Sequence, residues 1–355
     1  MEKLRLAAEA FATQGEPLQL SPCGQGHIHD TYRVRCTGGS YALQRVNTAV
    51  FPQPALVMEN IVRITEQQKR ALGDRAERRV LETVPLKAGG LLLWQDGACY
   101  RMFRFLENAY APERSTPAVA EETGLAFGRF LRQMEGLDPR QLHEILPGFH
   151  DTPLRLRAFQ KAVEEDLAGR AEEARPLIEY ILDRREAMGC IVEGLRSGRL
   201  PLRVTHNDTK PNNVMLDEKT NQALCVIDLD TVMPGSALYD YGDMLRYGAS
   251  TAEEDEPDEA RVDLDMELAS AFTRGYLRGA DAVLTPLERR LLPLGALTIT
   301  LEQAMRFLTD HLNGDAYYKI AYPGHNLVRA RAQIALHRAM ETKRGQLEAL
   351  VALQV

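Results

Sequence analysis

The chain has 355 residues, 45% of them hydrophobic and 26% charged, with a formal net charge of −7. That length exceeds the usual single core and predicts two lobes or two domains. The negative balance argues against a general nucleic-acid-binding or anionic-membrane surface, so neither is expected as a partner. The five cysteines (Cys23, Cys36, Cys99, Cys190, Cys225) are dispersed and form no Cys-x-x-Cys pair. Structural zinc and a disulfide framework are therefore disfavoured, and reduced thiols in a cytoplasmic protein fit best. Residues 1–10 read as an acid-bearing amphipathic helix rather than a signal peptide. No apolar run approaches the roughly 18 residues of a membrane span.

In chain order, residues 1–14 read as a short helix with Leu4, Ala7, Ala8 and Phe11 on one face. Strands follow from residue 18, over 31–36 and over 40–46, with Gly24 and Gly26 in the first turn and Gly38-Gly39 in the second. A strand, a glycine turn and a second strand can cover nucleotide phosphates with backbone N–H groups, although two glycines alone specify only a hairpin. Residues 54–72 have helix periodicity. Residues 79–84, 91–94 and 100–106 read as further strands. Helices dominate from residue 117: 119–134, 155–168 and 174–197, then 236–247, 265–279, 286–312 and 326–349. The acidic run 253–259 reads as a solvated, mobile loop. The fold class is α+β, with a small strand-rich first lobe over 1–106 and a large helical lobe over 107–355.

One hairpin interrupts the helical part. Apolar residues 214–216 and 224–227 flank the turn composition of 217–221, with His206, Asp208, Lys210 and Asn213 just before and Asp228 just after. A carboxylate, an amide five residues on, and a second carboxylate beyond a hairpin suit phosphoryl transfer. Asp208 can accept the proton of an acceptor hydroxyl. Asn213 and Asp228 offer the hard oxygen ligands that Mg²⁺ accepts. His206 would brace the loop, and the Lys210 ammonium could lie near the transferred group. There is no Gly-x₄-Gly-Lys-Ser/Thr loop, no His-Glu-x-x-His and no third glycine at dinucleotide-binding spacing.

These motifs resemble the aminoglycoside phosphotransferase–choline kinase superfamily, over most of the chain. Further stretches at 26–32, 43–47, 57–61, 206–210, 240–243 and 305–310 look like N-acetylhexosamine 1-kinases. The resemblance implies a protein-kinase-like fold with an antiparallel-sheet N-lobe, ATP and Mg²⁺ as cofactors, and an amino sugar phosphorylated at its anomeric hydroxyl. It makes Asp208 the base, Asn213 and Asp228 the metal ligands, and 102–106, including Phe103 and Phe105, the adenine-facing hinge. Glu59 falls where a helix carboxylate meets a strand lysine, but Gln44 stands at the lysine position. An amide can hydrogen-bond phosphate without neutralising it. Arg45, one residue on, faces the other side of the strand. Acceptor contacts are expected from Asp243, Arg306, His29 and Tyr317. For Asp243 the alternative is capping of the catalytic loop, and for Arg306 an ion pair with Glu302 or Asp310. Other acceptors of the superfamily (aminoglycoside, choline, homoserine, methylthioribose) are the alternative, and a non-catalytic pseudokinase, suggested by Gln44, is a further one.

Overall fold

The computed structural model describes residues 2–24 and 28–353. The small lobe is a five-stranded antiparallel sheet in the order β1-β2-β3-β5-β4. Its strands are β1 (Pro17–Pro22), β2 (Asp30–Cys36), β3 (Gly39–Val46), β4 (Leu93–Gln95) and β5 (Ala98–Arg104). Alternation buries Val34, Tyr41, Leu43, Tyr100 and Met102 on one face, against Ala7 and Ala8 of helix α1 (Glu2–Glu9) and Phe11 just beyond it. The segment 79–84, expected as a strand, is instead an extended strap. It borrows the edge of β5 that short β4 leaves free, through Val84 N–H to Met102 C=O and Arg104 N–H to Glu82 C=O.

Helix α2 (Pro54–Leu72) starts on a proline at its first position, where the missing N–H costs no helical bond. Its apolar stripe of Val57, Met58, Ile61 and Ile64 joins the core of the large lobe rather than that of the sheet. Asn60 fixes this docking. Its amide donates to the carbonyls of His143 and Val232 and accepts from the His143 N–H.

The large lobe contains α3 (Pro117–Gln133), α4 (Thr152–Glu165), α5 (Ala171–Leu182), α6 (Arg185–Met188) and α7 (Cys190–Arg196). After the catalytic segment come α8 (Ala237–Gly248), α9 (Met266–Ala280), α10 (Pro286–Leu312), α11 (His325–Thr342) and α12 (Arg344–Ala352). The single helix expected over 174–197 is three pieces, broken at Asp183-Arg184 and at Gly189, and the helix expected over 326–349 breaks at Lys343. The acidic run is pinned rather than free: Glu254 pairs with Arg246, Asp255 with His325, and Glu256 with Arg261. Among the described residues no helix is long and apolar enough to cross a membrane.

Glycines bring the helices into backbone contact. A Cβ on Gly124 or Gly128 of α3 would lie 2.3 or 2.2 Å from carbonyl oxygens of α9, and one on Gly275 of α9 would lie 2.0 Å from Glu121 O. In the same way Gly242 of α8 lies against Gly295 of α10, whose Cβ would sit 2.1 Å from Leu238 O. The obstacle is backbone, so neither helix can yield by a rotamer change. Gly295→Ala should therefore destabilise by about 1–3 kcal/mol as the helices part, and the urea unfolding midpoint measures the loss.

Candidate active site

The catalytic segment runs from β7 (Arg203–Thr205) through a loop to the hairpin of β8 (Val214–Asp217) and β9 (Ala223–Val226), beside the short strand β6 (Ala109–Tyr110). It returns through β10 (Met233–Gly235), which pairs with β7. The loop's backbone would be costly to bury unpaired, and α8 supplies its partners. Asp240 accepts from the N–H groups of His206 and Asn207 with its two oxygens, and its carbonyl accepts from the Thr209 hydroxyl. Asp243 accepts from the Thr209 N–H and from Arg246 Nε. The capping role is thus the one Asp243 fills, and both its oxygens are engaged. Burial raises the Asp240 carboxyl to about 6 despite the neighbouring His206 and the two amide bonds.

His206 donates from Nε2 to Ile227 C=O, one residue before Asp228, while its ring meets Phe127 and Phe130 edge-on. It joins the catalytic loop to the strand end that carries Asp228. Asn213 donates its amide to both the carbonyl and Oδ2 of Asp208, 2.8 and 3.1 Å away. Those two acceptors fix the amide's orientation and turn its oxygen away from Asp208. Lys210 Nζ lies 3.2 Å from Asp208 Oδ1. Burial alone would raise the Asp208 carboxyl, but Lys210, His206 and Asn213 outweigh it and hold the carboxyl below its ordinary range. Asp208 is therefore ionised at neutral pH and able to accept a proton.

Asp228 adopts a left-handed backbone conformation (φ 58°) and keeps solvent access, although protein atoms crowd around it. Among the described residues no side chain hydrogen-bonds it. Burial and the negative charges of Asp230 and Asp208 push it up to about 6. A carboxylate with no cation of its own, beside a forced amide oxygen, is the donor set Mg²⁺ takes when phosphates and waters complete its octahedron.

The N-lobe side of the cleft departs from expectation. Glu59 does not approach β3; it is exposed and pairs with His143 and Arg63. Gln44 instead receives Arg101 Nε from the directly opposed residue of β5 and donates to Thr31. The two guanidinium ends of Arg101 then clasp both oxygens of Asp230. His29, expected over the acceptor, belongs to the same cluster. Its Nδ1 accepts from the Asn47 N–H, so the proton sits on Nε2 and is donated to Asp230. Burial would raise Asp230, but Arg101 and His29 overcome it and keep the carboxyl far below its usual range. Arg101 and Asp230, at 3% and 2% side-chain exposure, thus form the cross-lobe ion pair sought at Gln44 and Glu59. An arginine within the apolar run Cys-Tyr-Arg-Met-Phe signalled it, since a buried guanidinium requires a partner.

In the hinge, Met102 C=O, Arg104 N–H and Phe105 N–H are taken by Val84, Glu82 and Ser40, and Arg33 stacks on the Phe105 ring. Phe103 is buried beneath the Arg101 guanidinium. Gly24 turns with φ 81°, whereas Gly26 lies outside the described residues.

Arg306 forms neither of the ion pairs considered for it. Glu302 is occupied by His150 and Thr152, and Asp310 by the N–H groups of Tyr317 and Tyr318 and the Asn326 amide. Its guanidinium lies 5.0 Å from the Phe149 ring and 5.9 Å from that of Tyr318, and it donates to Gln303. Tyr317, 70% exposed, stands at the rim against Tyr318.

The sequence matches the phosphotransferase enzyme family over residues 19–282, and the chain belongs to that family. Solved structures share its fold. Choline kinase from Cryptosporidium parvum matches with a TM-score of 0.61 and 10% identity over 97% of this chain and 96% of that one. Aminoglycoside phosphotransferase from Alicyclobacillus acidocaldarius gives 0.60 and 14% identity over 94% and 93%. A spectinomycin phosphotransferase in complex with ADP and spectinomycin gives 0.59 and 11% over 96% and 98%. The chain is a small-molecule phosphotransferase with the two-lobe kinase-like fold.

Proposed function

We propose that the protein is an ATP- and Mg²⁺-dependent N-acetylhexosamine 1-kinase, with Asp208 as the group that orients the anomeric hydroxyl and accepts its proton. The anomeric hydroxyl is more acidic than other sugar hydroxyls, so an ionised carboxylate is base enough. Asn213 Oδ1 and Asp228 would hold the metal, which supplies neutralising charge at the phosphates. Asp240 and Asp243 hold the loop amides, and His206 fixes the loop to the Asp228 strand. Lys210 keeps a positive charge beside the transferred group. Arg101 takes the part of the missing strand lysine, oriented by Gln44, with two guanidinium N–H groups left for phosphate oxygens.

The observation that carries the acceptor assignment is Arg306, a guanidinium with no carboxylate within salt-bridge reach among the described residues, set between Phe149 and Tyr318 with Arg155 close by. Aromatic faces suit the apolar face of a sugar ring, and the guanidinium N–H groups that Gln303 leaves open suit hydroxyl and acetamido oxygens. The two arginines outnumber the carboxylate beside them, Glu302, which disfavours a cationic aminoglycoside or choline. The resemblance in the sequence points the same way, and Tyr317 would close the rim.

ATP consumption should be measured with N-acetylglucosamine, N-acetylgalactosamine, an aminoglycoside, choline and homoserine. Turnover with an N-acetylhexosamine is expected, and turnover confined to a cationic acceptor would refute the assignment. Arg306→Ala should raise the acceptor KM by roughly tenfold or more, as expected for a lost charged hydrogen bond, with the KM for ATP unchanged.

A further inference from the structure

We propose a second binding site, for a small phosphate-bearing anion, at the back of the lobe junction, formed by Arg75, Arg79, Arg129 and Arg132 with Gln68. A cavity of about 340 Å³ lies there between the end of α2, helix α3 and the β8–β9 hairpin. Four guanidinium groups line it and no carboxylate does. Among the described residues Arg75, Arg79 and Arg129 have no carboxylate within 4 Å, and Arg132 has only Asp281 at 3.7 Å. The nearby Glu122 is engaged by Ala223 N–H and by Arg278.

Gln68 supplies an independent indication. It lines the cavity, is 2% exposed, and donates to Gln133 while its carboxamide oxygen has no partner. Exchanging N and O in both carboxamides preserves that bond and makes the buried orphaned atom an N–H donor, a dipole that favours negative charge nearby. Burial and the charges of Arg79, Arg132 and Arg278 also hold the Arg129 guanidinium below its ordinary pKa, although Glu122 opposes them. A dianion would relieve that repulsion. Guanidinium forks match phosphate oxygens bidentately. The volume suits ligands from free phosphate to a phosphorylated monosaccharide. A ligand there would tie α2 to α3 beside Val226, two residues before Asp228.

The test is isothermal titration of inorganic phosphate and of a hexose phosphate into the full chain, with the nucleotide site filled by a non-hydrolysable ATP analogue and Mg²⁺. Binding of one equivalent is expected. Exposed Arg79→Ala and half-buried Arg129→Met should each weaken it by roughly tenfold, about the loss of one charged hydrogen bond, with affinity for the analogue unchanged. Tighter binding of the hexose phosphate identifies a metabolite site, and equal binding a free-phosphate site. No heat from either anion, or binding that both variants leave intact, overturns the proposal.

Discussion

Asp208→Asn is expected to lower kcat by about 10²–10⁴-fold, the usual contribution of a positioned general base, while ATP still binds. The substitution keeps the shape of a side chain that Asn213 and Lys210 already hold in place. The capacity to accept the proton is removed, together with the charge that pairs with Lys210. Coupled-assay turnover together with nucleotide titration separates the two effects. An asparagine variant retaining most of its turnover would remove Asp208 from the chemistry and make Lys210's partner purely structural.

Asp230→Asn is the variant expected to cost most in stability. It strands the buried Arg101 guanidinium without a counter-charge, a loss of about 3–5 kcal/mol, readable from urea unfolding. The same carboxylate sets an acid limit. Its folded pKa lies below the unfolded value, so its contribution is fully present above the ordinary carboxylate range near pH 4 and is lost as pH falls below it. Unfolding midpoints should therefore drop steeply below about pH 4 in the wild type and less so in Asp230→Asn. The double variant Arg101→Met with Asp230→Leu removes the desolvation cost along with the attraction and should regain much of the stability. Its ATP affinity should stay lowered, because no cation remains beside Gln44. Normal ATP affinity in that variant would refute the phosphate role of Arg101.

The β8–β9 hairpin and the loop before it were legible because the proposed chemistry and the local structure lie in one contiguous stretch. His206, Asp208, Asn213 and Asp228 are spaced by a loop and a hairpin that periodicity alone outlines. The Arg101–Asp230 pair was not legible in the same way. Its two members lie 129 residues apart, and they meet only once β5 is paired with β3 and the lobes are stacked. Glu59 misled for the opposite reason. Helix α2 was placed correctly, but the face it turns to the cleft follows from its docking on the large lobe through Asn60, which periodicity does not report. His29 was noticed for its polarity, yet its partners are an amide at 47 and a carboxylate at 230. The breaks in the helices expected over 174–197 and 326–349 likewise depend on what the chain packs against. Gly189 was a readable warning, while Lys343 offered none.

The contact of Gly242 with Gly295 has a mechanical consequence. Gly242 stands between Asp240 and Asp243, and Gly295 opens the stretch of α10 that ends at Arg306, roughly 16 Å further along at 1.5 Å per residue. Backbone seated on backbone leaves no compliant side chain between the two helices. Asp240 and Asp243, which brace the loop at 206–209, and the Arg306 guanidinium therefore ride on one stiff frame. If Arg306 holds the acceptor as proposed, its alignment with Asp208 is built into the large lobe before any nucleotide arrives.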